Sequence, residues 1–505
     1  MKVVLISLYL FDNMSARSIH ANLKSGGQEV YSLYLKIYYP NMKIKMISDK
    51  EMQILMRKIK EINPDIVGIS VRSPYINIAN SVTKSIKKEI GVPVIYGGVH
   101  ATLMPEECLN YADMVCVGEG DEAFPELVNR LENKQRYNDI KGIWVKENGQ
   151  IKDNGYAVVR DLDKITFNSF DENNFYIENN EISKNSKKWF GLNRFLLSIT
   201  NFVGYYDVMA GRGCPFKCSF CINGVEKDGI REMSKVRYRS TDSVIHEILT
   251  AKNKYYITGV YFHDDVFTTD EKWAKEFLGK YKKYINLPFM INTHFLHIDH
   301  SLLTNLKESG LKVVKLGIQS GSETTNRFIY NRWFDRDKII EKAKIIKDLR
   351  IFSIYDFLHD NPLEKDTDRE STLKLIMDIP HPFGLSMYPL KFYPGYRISQ
   401  YMQNLSIPEE QIGSTEAVLR NWNYKFLKVE SKNNMFWNSL YWLAAENILP
   451  GESLLFLAKS KILKNNPVWL KLFCCIIYLF SGHFFFLLGG YKKTYFKDKN
   501  TLSGK

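Results

Sequence analysis

Cys214, Cys218 and Cys221 fall within eight residues of one another, in Gly211-Arg-Gly-Cys-Pro-Phe-Lys-Cys-Ser-Phe-Cys221. Thiolates are soft ligands that suit zinc or an iron–sulfur cluster. A structural zinc needs a fourth ligand at comparable reach, and no further Cys or His stands near the run. Three cysteines on one loop can instead hold three irons of a cubane and leave the fourth open to a substrate or cofactor, where electron-carrying clusters take four. Structural zinc and chance are the alternatives. Further along, Asp264 and Asp265 in Tyr261-Phe-His-Asp-Asp-Val-Phe267 either face a ligand or cap a helix. Gly317-Ile-Gln-Ser-Gly-Ser322 joins glycines, which allow close backbone approach, to polar side chains. His359, in Asp356-Phe-Leu-His-Asp-Asn-Pro362, reads either as a proton donor or substrate contact or as a packed strand-end histidine.

These residues need a scaffold, and the hydrophobic pattern supplies one. Strands are expected at 205–209, 259–262, 289–292, 313–317, 352–358 and 386–390, with helices between them at about 241–254, 270–283, 301–309, 335–349 and 366–377. Six βα units make an incomplete, TIM-type (βα)6 barrel, two units short of closure. The cysteine run follows its first strand. Upstream, apolar runs at 3–6, 66–70, 93–96 and 114–116 alternate with helical patterns at about 15–25, 51–62, 76–89 and 122–131. That alternation predicts a doubly wound, Rossmann-like parallel sheet, with its ligand at the carboxyl ends of the strands. The expected division is a first domain at 1–135, a linker at 136–200 with a small hairpin around 142–151, the barrel at 201–400, and a mostly helical region at 401–505.

The chain of 505 residues is 45% hydrophobic and 25% charged, which excludes disordered and collagen-like classes. Seven cysteines are too few for a disulfide scaffold at this length, and the start of the chain lacks a signal-peptide layout, so a cytoplasmic protein is expected. Of the net charge of +13, +8 belongs to residues 459–505, where nine lysines face one acid. That charge flanks the uncharged run 472–491, which is long enough to span a bilayer. Ser481, Gly482 and His483 interrupt the run, so an interfacial hairpin or a buried helix pair competes with a span. A membrane surface fits this arrangement better than a nucleic acid. Cys108, Cys116, Cys474 and Cys475 read as packing residues.

Cys214, Cys218, Phe220 and Cys221 match the CxxxCxφC motif, with an aromatic at φ, and the chain resembles the radical S-adenosylmethionine (SAM) superfamily. The resemblance implies a 4Fe-4S cluster on the three cysteines, SAM on the open iron, and cleavage of SAM to a 5′-deoxyadenosyl radical with electrons from an external donor. It also implies SAM contacts from Phe220, Asp264, Asp265, Gln319, Ser320 and Gly321, with Gln319 standing where a Glu is usual. The amino-terminal region resembles the cobalamin-binding module of one large subgroup, through Pro64-Asp-Ile-Val-Gly-Ile-Ser70, Gly97-Gly-Val-His-Ala-Thr102 and Gly118-Glu-Gly-Asp121. Cobalamin contacts are then implied for Ser70, Gly97, Gly98, His100, Ala101, Glu119 and Gly120. The Asp-x-His-x-x-Gly loop of the cobalamin mutases is missing, and Asp12 falls at its histidine position, so no imidazole is offered to cobalt there. His20, within the first helix pattern, and His100 read as packing residues or as contacts to the cobalamin tail. The expected function is a cobalamin-dependent methyl transfer to an unactivated carbon of a small molecule, a lipid or a hydrophobic natural product. The radical and a methylated cobalamin would carry it. Cyclisation or rearrangement on the same scaffold is the alternative, and a non-catalytic cobalamin or redox sensor is a second.

Overall fold

Val3, Val4, Leu5 and Ile6 are all buried in β1 (Lys2–Leu8), as a strand covered on both faces requires. The computed structural model describes residues 1–9, 13–36, 46–166, 173–184, 204–255, 257–404 and 431–481. They divide into two compact units. One is the chain up to Gly259 with the stretch that begins at Lys391, and the other is Val260–Leu390 with the C-terminal helices.

In the first unit, β1, β2 (Glu29–Leu35), β3 (Ile66–Ser70), β4 (Val94–Gly97) and β5 (Met114–Cys116) pair in parallel, in the order β5-β4-β3-β1-β2. The helices that accompany this sheet are α1 (Met14–Ser25), α2 (Asp49–Ile62), α3 (Ile76–Glu89), α4 (Val99–Leu103), α5 (Pro105–Cys108) and α6 (Gly120–Glu132). Leu55, Ile59, Val82 and Ile86 of α2 and α3 build one apolar layer, and Leu23, Phe124, Leu127 and Val128 of α1 and α6 build the other. The expected doubly wound sheet is therefore present. Its chain order reverses between β1 and β3, so a crevice opens at the carboxyl ends of those two strands.

The region read as a linker adds four strands to this sheet: β6 (Ile143–Glu147), β7 (Gln150–Lys152), β8 (Asn174–Glu178) and β9 (Glu181–Lys184). β6 and β7 form the expected hairpin, with β6 antiparallel on β5 and β7 outside it, while β8 runs parallel on β2. Sheet edges favour charged residues, which block further pairing. Lys152 does this on β7 and Glu181 and Lys184 on β9, and together with Lys146, Glu147 and Glu178 on the neighbouring strands they hide the apolar alternation that would announce a strand.

After β10 (Tyr205–Val208), a two-rung antiparallel ladder of β11 (Gly211–Arg212) and β12 (Arg237–Tyr238) brackets the cysteine run and α7 (Asp228–Met233). α8 (Thr241–Lys254) follows, with Ser240 as its N-cap. Thr258 N donates to Gly204 O at 2.9 Å, just before β13 (Gly259–Phe262). The remaining strands are β14 (Phe289–Thr293), β15 (Leu311–Gln319), β16 (Phe352–His359) and β17 (Gly384–Pro389), and β13 to β17 pair in parallel in chain order. The crossover helices are α9 (Glu271–Tyr284), α10 (His300–Glu308), α11 (Arg336–Asp348) and α12 (Asp366–Asp378). Asp270, Asp299 and Asp335 cap the first three of these by accepting from backbone N–H groups. All six expected βα strands form.

The carboxyl-terminal region is helical where it is described: α13 (Arg397–Asn404), α14 (Lys432–Ala445), α15 (Gly451–Ala458), α16 (Lys461–Asn465) and α17 (Val468–Ser481). α14 is buried from Phe436 to Ala445, and Tyr441 Oη donates to Arg369 O of α12 at 3.1 Å. Among the described residues no helix is long and apolar enough to cross a membrane. Residues 482–491 of the apolar run lie outside the described residues, as does Asp12.

Candidate functional site

The cysteine loop is held by its own backbone. Cys214 N donates to Ser234 O, Cys221 N to Cys218 O and Gly224 N to Cys221 O, each at 3.0 Å. A Cβ on Gly224 would lie 2.1 Å from Cys218 O, so only glycine lets the chain fold back over Cys218. Cys218 is buried, Cys214 and Cys221 are half-buried, and none of the seven cysteines is disulfide-bonded. Burial pushes the Cys108, Cys116 and Cys474 thiols up to about 12, which leaves them protonated and poor ligands, as packing residues would be. Among the described residues no three His, Cys, Asp or Glu side chains converge on a single metal ion. A cubane takes its thiolates at separate corners and does not require that convergence.

Beside this loop, in the same unit, a cavity of about 560 Å³ opens over the carboxyl ends of the first sheet. Ser70, Gly97, Gly98, Gly118, Glu119 and Gly120 line it on one side, and Arg212, Ile222 and Met233 of the cysteine-loop segment on the other. Gly118 sits at φ +102°, where a Cβ would come within 2.2 Å of Ala157 O, so only glycine lets the chain pass this close to Ala157. His100 and Ala101 are buried behind the wall, and His100 Nδ1 lies 3.0 Å from Ser73 Oγ. His20 is buried with its Nδ1 2.8 Å from Ser32 Oγ. No sequence signal placed a histidine toward cobalt, and neither of these two lines the cavity.

The two walls are tied by ion pairs that the sequence reading missed. Arg212 donates to both carboxylate oxygens of Asp121, at 2.7 and 3.2 Å, and the Ser18 hydroxyl donates to the same carboxylate. Across the β-ladder, Arg237 makes a fork to Glu119 with both contacts at 2.9 Å, and Glu119 also accepts from Val159 N at 2.7 Å. Burial alone would raise the Asp121 carboxyl, but the charge and hydrogen bonds of Arg212, with Ser18, hold it below the usual range. The spacing Glu-x-Asp against an Arg pair 25 residues apart carries no local signal. Only the Arg212↔Arg237 rung brings the two arginines together.

In the second unit, Asp264 is buried and Asp265 exposed after β13. The helix that follows is capped by Asp270, so neither aspartate serves as its cap. Gln319 ends β15 at φ +75°, a left-handed conformation that costs a non-glycine residue energy and is found mainly at functional sites. Ser320 and Gly321 turn toward α12: the Ser320 hydroxyl donates to Glu364 at 2.8 Å, and Gly321 N donates to the Thr372 hydroxyl at 2.8 Å. Lys315 lies two and four residues before Gly317 and Gln319, on the same strand face, and pairs with Asp356 at 3.2 Å and Tyr388 Oη at 3.0 Å. Burial would strip the Lys315 charge, but Asp356 holds its pKa well above the ordinary lysine value. The period-2 placement of Lys315 with Gly317 and Gln319 was the available signal. His359 is buried against Asp360 and Asn438 of α14, with Nδ1 contacts of 2.5 and 3.2 Å.

Residues 3–128 match the family model described as the B12 binding domain, and residues 208–376 match that of the radical SAM superfamily. The chain is 27% identical over 356 residues to an uncharacterized methyltransferase of Pyrococcus horikoshii, PH0819, covering 68% of this chain and 70% of the relative. It is 25% identical to the anaerobic magnesium-protoporphyrin IX monomethyl ester cyclase of Rubrivivax gelatinosus, covering 71% of this chain and 65% of the relative. Its fold superposes on the radical SAM methyltransferase TsrM of Kitasatospora setae, a structure with cobalamin and a [4Fe-4S] cluster bound, at a TM-score of 0.60 and 14% identity, over 80% and 75% of the two chains. The residues present suit these groups. The donor set on the loop is three thiols, and the glycine-walled cavity leaves room over the switch point for a nucleotide tail.

Proposed function

We propose that this protein, which is an enzyme of the radical SAM family with a B12 binding domain, transfers a methyl group to an unactivated carbon of a hydrophobic small molecule or natural product. The observation that carries the reading is the pairing, within one compact unit, of a three-thiol loop with a glycine-walled cavity at the switch point of a doubly wound sheet. When bound, the cluster with SAM supplies a radical able to take hydrogen from such a carbon, and cobalamin supplies a carrier for the methyl group. Cys214, Cys218 and Cys221 would hold the cluster. Phe220, Asp264, Asp265, Gln319, Ser320 and Gly321 would shape the SAM site, either by contact or, as Ser320 and Gly321 do, by fixing the strand end. Ser70, Gly97, Gly98, Glu119 and Gly120 would border cobalamin, with His100 and Ala101 supporting them from behind. Lys315 and Asp356 keep a charged pair on the strand face that bears Gly317 and Gln319, suited to polar groups of a bound molecule.

The working domains are 1–135 for cobalamin, 201–400 for the barrel and 401–505 for the helical region, with 136–200 between the first two. An external one-electron donor would keep the cluster reduced. A hydrophobic substrate suits a protein held peripherally at a lipid surface. Cyclisation is the second reading, favoured by the similarity to the Rubrivivax cyclase.

The test is untargeted product analysis in cells with and without the gene, fed methionine labelled at its methyl group, followed by anaerobic turnover of the product's precursor with reconstituted enzyme. Methyl transfer gives a labelled product with S-adenosylhomocysteine and 5′-deoxyadenosine in each turnover. An unlabelled product with 5′-deoxyadenosine alone would replace methyl transfer by cyclisation. Changing Cys218 to Ala should remove both the cluster absorbance and SAM cleavage, because two thiolates cannot hold three irons.

A further inference from the structure

α15, α16 and α17 each pack on α14. The inner side of α17 carries Leu470 and Cys474, both buried, and Cys474 Sγ donates to Ser439 O of α14 at 3.8 Å. The outer side carries Val468, Trp469, Leu472, Phe473 and Ile476, all exposed, with Trp469 at 71%. Steps of three and four residues ordinarily mark the stripe that a helix buries. Here the stripe faces out, so α17 is apolar on both sides. The two preceding helices add Phe456 and Ile462, each 77% exposed. A monomer in water rarely leaves so many large apolar side chains uncovered, and such clusters mark interaction sites.

Charge and the exposed tryptophan select the partner. Residues 451–481, which form α15 to α17, contain four lysines and one acid, Glu452. Lys464 is paired with Asp366 and Lys471 is buried, while Lys459 and Lys461 are exposed beside Phe456 and Ile462 in sequence. Basic residues next to exposed aromatic and aliphatic ones are what an anionic lipid surface attracts. Trp469 also suits such a surface, because tryptophan is favoured at the membrane–water interface.

We propose that the exposed apolar side chains of α15 to α17, centred on Trp469 and Phe473, dock on an anionic bilayer surface, with Lys459 and Lys461 on its headgroups. The proposal is independent of the reaction assigned above, since it rests on the C-terminal helices alone.

Flotation of the full-length, cluster-loaded protein tests it, using phosphatidylcholine vesicles with and without phosphatidylglycerol. The wild type should rise with the anionic vesicles. The double variant Trp469→Ser/Phe473→Ser should bind about tenfold less, because two buried aromatic side chains are lost. Lys459→Glu/Lys461→Glu should lose binding to anionic vesicles, with little change on neutral ones. Both variants alter exposed positions, and unchanged cluster absorbance would show that the fold is intact. Three results would overturn the proposal: wild type that stays at the bottom with both vesicles, a Trp469→Ser/Phe473→Ser protein that floats as well as wild type, or a solution dimer that this variant dissolves. The last would make a second copy the occupant.

Discussion

At residues 118–121 the acids reach away from their own sheet. Glu119 grips Arg237 and Asp121 grips Arg212, and those two arginines form the rung that carries the cysteine loop. At residues 317–322 the polar groups turn back on the helix that follows the next strand. Ser320 binds Glu364 and Thr372, Gly321 N binds Thr372, and Ser322 binds Asp368. Both loops end parallel strands, and both mix glycine with polar residues. The first spends its polar groups on joining two segments around a cavity, and the second on seating a strand end against α12. A polar residue after a strand is therefore a ligand candidate only to the extent that neighbouring backbone and side chains leave it available.

Replacing the glycine of each loop should give the largest effects and show whether the two roles are separate. A Cβ on Gly118 would lie 2.2 Å from Ala157 O, and one on Gly321 would lie 2.4 Å from Thr372 Cα. Backbone cannot yield as a side-chain tip can, so Gly118→Ala and Gly321→Ala should each destabilise by about 4 kcal/mol. Hydrogen exchange should then rise around β5 and α6 in the first variant, and around β15 and α12 in the second. Losses under about 1 kcal/mol, or the same exchange pattern in both, would erase the distinction.

The ion pairs come next in size. Asp121→Asn takes the nearer of two carboxylates from the largely buried Arg212 guanidinium and leaves Glu119 at 3.5 Å, at a cost of about 2 to 3 kcal/mol. Adding Arg212→Met should recover part of that loss, because the poorly paired charge is gone. On the other loop, Ser320→Ala removes one hydrogen bond to a buried carboxyl and should cost about 1 to 2 kcal/mol. Retained iron is the sharper measurement. Asp121→Asn should lose cluster faster during gel filtration than Ser320→Ala. Equal retention would mean that the ion pair does not steady the cysteine loop.

Much of this was legible along the chain because it is local. Strand and helix periodicity gave both parallel sheets, and the cysteine spacing gave the metal-holding loop. β8 and the edge strand β9 were hidden because Glu178, Glu181 and Lys184 break the apolar alternation, and on an edge such charges serve to block pairing rather than to pack. The Asp121–Arg212 and Glu119–Arg237 pairs were hidden for another reason. Each joins residues about 90 or more positions apart, and nothing in either short segment records the rung that aligns the arginines. Glu364 was passed over as one acid in a polar loop, since burial, which gives it its chemistry, comes from α12, α14 and the strand end together.

That carboxyl supplies the last prediction, and it belongs to the second loop alone. Burial pushes Glu364 up to about 7, against the pull of the Ser320 hydrogen bond and the Arg369 charge, from an ordinary value of 4.5. Below pH 4.5 the group is protonated in both folded and unfolded chains and contributes no difference. As the pH rises from there, the unfolded chain gives up the proton while the folded one keeps it, so stability falls. Above about 7 both are ionised and the loss levels off, at roughly 3 kcal/mol for a gap of about two and a half pH units. Glu364→Gln cannot ionise, yet its amide oxygen can still accept from Ser320. The variant should therefore match wild type near pH 4.5 and exceed it at pH 8, with urea midpoints in the second unit diverging across that interval. Parallel midpoints from pH 4.5 to 8 would mean that water reaches the carboxyl, and that the second loop is less closed against α12 than its hydrogen bonds indicate.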